Sequence, residues 1–305
     1  HANLREADLR NTILAGANLE LASLKDANLS KSDLSRSRLT RANLSGASLR
    51  GSDLAHANLG KAELTRADLS NTTLQHANMA KINMMEGSLS GADLTDAHLT
   101  EAVLGRTDLS EAILLNANLN EASLRGAYLT GADLSKAQLK QADLTKAEMS
   151  SSILIKADLH KASMDRAVLD SADLSRARLI GSSLTGISFR DGIAHRANFS
   201  GANLSQGDLS RSSLLRANFS NSVMRGIVLE GADLSGADLS YAVLRRAVLT
   251  GATLYKANLT GVDLMGVNLT DVDLSKSKLN KIDVSQAILC RTLMPWGEEN
   301  RGCTE

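Results

Sequence analysis

Six histidines, His1, His56, His76, His98, His160 and His195, are the side chains best suited to proton transfer or metal binding near neutral pH. No Cys-X-X-Cys motif or carboxylate cluster stands beside them to complete a ligand set, so neither a metal nor a cofactor is expected. There is no phosphate-cradling P-loop and no Gly-X-Gly-X-X-Gly in a strand–helix setting. Serine and carboxylate side chains recur along the whole chain, and no Ser-His-Asp set stands out from them, so the chain is not expected to be an enzyme. Cys290 and Cys303 are too few for a disulfide framework. Lys plus Arg and Asp plus Glu both number 34, which leaves no bulk attraction for nucleic acid or an acidic membrane. No apolar run approaches the length of a membrane-spanning helix.

These side chains hang on one repeated frame. Ala42-Asn43-Leu44-Ser45-Gly46 typifies it: small, polar, Leu, polar, polar. Stepping by five from position 4 to 294, Leu fills 48 of 59 slots without a slip of register. Neither the helical period nor the strand period fits. Ala and the Leu two residues later match a strand locally, but the next inward residue comes three later, so the chain must turn within every pentad. One such unit cannot bury its Leu, whereas a stack can, which is the logic of a solenoid. Aromatic residues are only 2% of the chain, few for a globular core but no handicap for one of stacked Leu and Ala. The array therefore reads as a single body over 1–294, followed by a polar tail, 295–305, expected to cap it.

The pattern Ala-(Asp/Asn)-Leu-X-X, as in Ala132-Asp133-Leu134-Ser135-Lys136, resembles the pentapeptide-repeat family over nearly the whole chain. The resemblance implies an all-β fold, a right-handed quadrilateral parallel β-helix in which four pentads form a coil of 20 residues. About 14–15 coils at the usual strand spacing would give a rod roughly 70 Å long. Asp or Asn before each Leu is expected to bond local backbone at a turn. Identical side chains in one column, such as Asn58 and Asn78, can also form ladders. The tail Met294-Pro295-Trp296-Gly297 is similar to the Met-Pro-X-Gly ends of cyanobacterial members, and Trp296 is expected to cover the last coil. The chain opens at His1, in mid-repeat and without Met, so its compartment is cytoplasmic only by default. No cap is visible at that end, which suggests a missing segment or end-to-end self-association.

Two stretches depart from the pattern. Residues 79–90 bring Met79, Met84 and Ile82 inward, a substitution that packing alone can absorb. Residues 187–199 hold Ala194, the one central slot without a large side chain, between Phe189 and Phe199. The two rings are expected to lean over Ala194, with Phe219 stacked on Phe199 one coil on and Gly192 easing the backbone. The alternative is a bulge with Ile193 turned inward.

In the implied register, Lys136, Lys156, Arg176, Arg196, Arg216, Lys256 and Lys276 form a basic column broken only by Gly236. Asp133, Asp173, Asp233 and Asp273 share its face and are expected to offset part of the charge. The column is then either a solvated, charge-paired face or a groove for an acidic partner. The reading that results is a non-catalytic scaffold for an unknown protein partner. The resemblance also permits a DNA mimic that modulates a type II topoisomerase, but duplex DNA carries about one charge per 1.7 Å. The most acidic face here nets only −4. Direct nucleic-acid binding lacks interleaved aromatics and a positive net charge.

Overall fold

In a pentad such as Ala42–Gly46 every backbone N–H finds an acceptor, and the pattern of acceptors defines the fold. In the computed structural model, which describes residues 2–303, Ala42 N–H closes a turn onto Leu39 O at 2.9 Å. Asn43 N–H donates back to Ala22 O at 2.9 Å, and Leu44 and Gly46 donate forward to Glu63 O and Thr65 O at 2.7 and 3.0 Å. Ser45 N–H donates to the side-chain Oδ1 of Asn43 at 3.0 Å. The Asx residue, where present, is thus the fifth acceptor of its unit, and that is why the slot before Leu is so often Asp or Asn. The forward and backward bonds pair each residue in parallel with the one 20 positions on, as in Asn43↔Glu63. The coils stack as a β-helical solenoid.

The burial pattern follows. Ala42 and Leu44 are wholly enclosed, while Asn43 between them reaches the surface. In most turns the third residue is held at positive φ, as a type II turn demands, with Lys276 and Gln286 as exceptions, and Lys, Arg and Glu fill that position as well as Gly. At several positions where Ser or Thr replaces the small Ala the hydroxyl donates to a turn carbonyl, as Ser32 Oγ does to Leu29 O at 2.6 Å, whereas the buried Ser37 Oγ finds no partner.

The chain forms two compact units, His1–Asp158 and Leu159–Glu305. In the first, parallel pairing runs in register from Asn3↔Ser23 to Gln138↔Asp158. Met79, Ile82 and Met84 are all fully enclosed. A Cβ at Gly87 would lie 2.9 Å from Met84 Cγ, so the missing side chain is what admits the longer one.

In the second unit the pairing runs from Ser163↔Ser183 to Asp273↔Leu293. Phe199 and Phe219 stack with centroids 4.8 Å apart and planes 4° from parallel. Ala194 is buried and Ile193 lies outside, which excludes the inward bulge. Gly192 acts through volume: a Cβ there would fall within the Phe189 ring, at 2.7 Å from Cδ2. Gly207 makes the same allowance for Ile187, whose Cγ2 would stand 3.0 Å from an added Cβ. Near Val262 and Val267 the ladder loosens, with Leu244 N to Asp263 O at 3.0 Å.

The C-terminal end is a hairpin. Strand β1, Leu289–Met294, pairs antiparallel with β2, Gly297–Arg301, while Leu293 also pairs in parallel with Asp273. β1 runs between the central slots of the last two repeats, and Leu289 and Met294 still fill the core. A Cys290–Cys303 disulfide ties the hairpin. The expectation that Trp296 covers the last coil is corrected here. Trp296 is 60% exposed in the two-residue turn between Met294 and Gly297, with its indole N–H on Glu299 at 3.0 Å. A residue at the tip of a hairpin lies beyond the strand it serves, so the paired strand β2, not the indole, covers the edge. Among the described residues no helix is long and apolar enough to cross a membrane.

Candidate anion-binding face

The basic column occupies the third position of successive turns, where the backbone turns the side chain outward. In the unit Leu159–Glu305 it holds Arg176, Arg196, Arg216, Lys256 and Lys276, all exposed. Arg176 N–H donates to His195 O, Arg196 N–H to Leu215 O and Arg216 N–H to Ser235 O, each at 2.9 Å. Every bond ends on the residue just before the next member of the column, so the cations are stacked one coil apart. Lys136 and Lys156 belong to the unit His1–Asp158, where Asp133↔Ile153 pairing sets them in neighbouring coils.

The aspartates expected to offset part of this charge make no direct ion pair with the column. Asp133, Asp173, Asp233 and Asp273 direct Oδ1 to the N–H of Ser135, Ser175, Ser235 and Ser275 at 2.8–2.9 Å. The fold uses these carboxylates to close turns. Among the described residues, none of the seven cations makes an ion pair. Lys276 acts on Asp273 only through its field. That carboxyl is held below its ordinary pKa first by the Ser275 hydroxyl, then by the Ser275 N–H, with the Lys276 charge a smaller cause. Other cations of the second unit do pair, as Arg190–Asp208 and Arg211–Asp191 do at 3.2 and 2.7 Å, but in other columns.

At Gly236 the column opens into a notch of about 460 Å³, lined by His195, Arg196, Arg216, Ser235, Tyr255 and Lys256. Lys256 Nζ lies 5.0 Å from the centroid of the Tyr255 ring. His195 Nε2 is 2.8 Å from Ser213 Oγ. Sequence reasoning treated Gly236 as a gap in a row of charges; the notch follows from the neighbours it leaves uncovered, and Tyr255 beside Lys256 was the available signal.

The histidines lead elsewhere. His56 and His76 stack with centroids 4.9 Å apart, and His76 Nδ1 is 3.9 Å from Asp96 Oδ2. Among the described residues no three His, Cys, Asp or Glu side chains converge as a metal would require. Asn78 Nδ2 donates to Asn58 Oδ1 at 3.1 Å, so the expected amide ladder is present there.

The sequence matches the family description pentapeptide repeats in 8 copies, over residues 2–41, 42–80, 88–126, 122–160, 152–191, 195–231 and 227–266. Among solved structures, it is similar to HetL, a pentapeptide repeat protein involved in heterocyst differentiation regulation in Nostoc sp. strain PCC 7120. The identity is 33% over 79% of this chain and 91% of that one, with a TM-score of 0.32. A pentapeptide repeat protein of the Arabidopsis thaliana thylakoid lumen is 32% identical over 33% of this chain and 66% of that one, TM-score 0.22. QnrB1, a plasmid-mediated fluoroquinolone resistance protein, is 23% identical over 57% and 84%, TM-score 0.34. No curated protein matches the sequence.

Proposed function

The chain belongs to the pentapeptide-repeat family, and from that premise we propose that it is a non-catalytic protein-interaction scaffold whose basic column receives an acidic partner. The observation that supports this is the set of stacked cations left without ion pairs while the aspartates beside them are engaged in turns. A stacked backbone fixes the spacing of the cations before binding, and exposed cations raise the encounter rate of an oppositely charged partner. The right-handed quadrilateral form of the coil is part of the same proposal: pairing at 20 residues with a turn in every pentad suits four sides. Mimicry of DNA at a topoisomerase fits less well, because the chain has no net charge and this face offers unpaired cations.

The test is affinity capture with the wild-type chain and with the Arg196→Glu, Arg216→Glu double variant at low salt. The expected result is an acidic partner retained by the wild type, released by salt and lost from the variant. Equal retention by both would overturn the reading. Inhibition of gyrase supercoiling by sub-micromolar protein would favour the topoisomerase reading in its place.

A further inference from the structure

One position in the column of the unit Leu159–Glu305 has no side chain. Gly236, at φ 68°, sits in the same slot as Arg216, at φ 56°, so the turn there does not require glycine. The consequence of glycine is space. A Cβ at 236 would come 3.2 Å from Arg216 Cγ, which places the arginine stem over the vacated site. Arg216 and Lys256 are then two coils apart, roughly 10 Å by strand spacing. That separation leaves room for one anionic group between two cations, with a charge-assisted bond to each.

The walls suit the same occupant. Lys256 lies against the half-exposed Tyr255 ring, which fixes its stem beside the notch. His195, which also lines the notch, is oriented by Ser213. The nearest carboxylate of the column face, Asp233, is already engaged with the N–H and hydroxyl of Ser235 at 2.9 and 2.6 Å. A volume of about 460 Å³ exceeds one carboxylate and admits a whole side chain with its water. The geometry points to this notch as the receptor for a single carboxylate side chain of an acidic protein segment that lies along the column. The inference rests on the scaffold reading above. A protein segment is favoured over nucleic acid because the notch has one aromatic wall, occupied by Lys256, and no stacking series.

The test is fluorescence anisotropy of a labelled hexaglutamate peptide at low ionic strength, with melting curves to confirm that each variant folds. Arg216→Ala and Lys256→Ala are expected to weaken binding about tenfold, as loss of a close charge pair does. Gly236→Arg adds a positive charge but fills the notch, and is expected to weaken binding about fivefold or more on the same grounds. Gly236→Gln fills it without charge and decides the matter if the arginine variant fails to fold. Arg246→Ala, in another column, is expected to change nothing. Unchanged or tighter binding by both fillers, with Arg216→Ala still weak, would overturn the notch and leave the column standing. Loss in Arg246→Ala equal to that in Arg216→Ala, or no binding by the wild type, would overturn both. Tighter binding of a short DNA duplex with the same variant pattern would overturn the assignment to an acidic protein.

Discussion

A left-handed turn residue ordinarily calls for glycine, yet Arg41, Lys61 and Leu21 hold φ between 56° and 60° here. The side chain at this slot is therefore chosen for the surface, and its backbone strain is tolerated because the hydrogen bonds of neighbouring coils hold the turn. Gly201, at φ 65° with no atom near a prospective Cβ, isolates that strain. Gly201→Ala is expected to cost about 1–2 kcal/mol in chemical denaturation, from conformation alone. Gly192 is the contrasting case, since its φ is ordinary and its absent Cβ accommodates the Phe189 ring. Gly192→Ala is expected to destabilise by about 1–3 kcal/mol through overpacking. Adding Phe189→Leu is expected to recover most of that loss, and additive losses would show that the two positions do not share the space.

At the scale of the element, the pentad turns on its Asx acceptor and the array ends in its hairpin. Asn43→Ala removes the acceptor of the Ser45 N–H and is expected to cost about 0.5–1.5 kcal/mol, the lower part if water replaces it. The serine two residues on also fixes the charge of several aspartates. Asp33 is held below its ordinary pKa by the Ser35 hydroxyl and then its N–H, and Asp283 by the Ser285 N–H and then its hydroxyl. Asp8 is drawn down to about 2, first by its Arg10 side-chain bond. A depressed carboxyl contributes stability that is present above its unfolded pKa and lost as pH falls through the folded value. The melting temperature is therefore expected to hold from neutrality to about pH 5 and to fall between about pH 4 and pH 2. A fall beginning near neutrality would contradict this. In the terminal hairpin, Leu289→Ala is expected to cost about 2–5 kcal/mol, since Leu289 is wholly enclosed. Trp296→Ala, at an exposed turn, is expected to stay within about 0.5 kcal/mol. Replacing Cys290 and Cys303 by serine opens a loop of sequence separation 13 and is expected to cost about 2–3 kcal/mol.

Across the whole chain, much of the backbone was legible because a period of five leaves few choices. Ala42 and Leu44 had to face one way and Asn43 the other, and an Asx beside a turn had one useful acceptor role. What could not be read lies where neighbours in space, not in sequence, decide the outcome. The aspartates near the basic column looked like its counter-ions, but each spends an oxygen on closing its own turn and pairs with no cation of the column. Cys290 sits inside the repeat and Cys303 outside it, and periodicity does not say that the tail folds back to join them. Trp296 was assigned the covering role by size, whereas strand pairing gives it to β2. Arginine modification reads out whether the column's cations are free to take an acidic partner. Phenylglyoxal labelling, mapped by mass spectrometry with and without hexaglutamate, is expected to show Arg196 and Arg216 reactive alone and protected by the peptide, with Arg225 and Arg246 unaffected. Protection of Arg225 and Arg246 to the same degree, or none at Arg196 and Arg216, would contradict that reading.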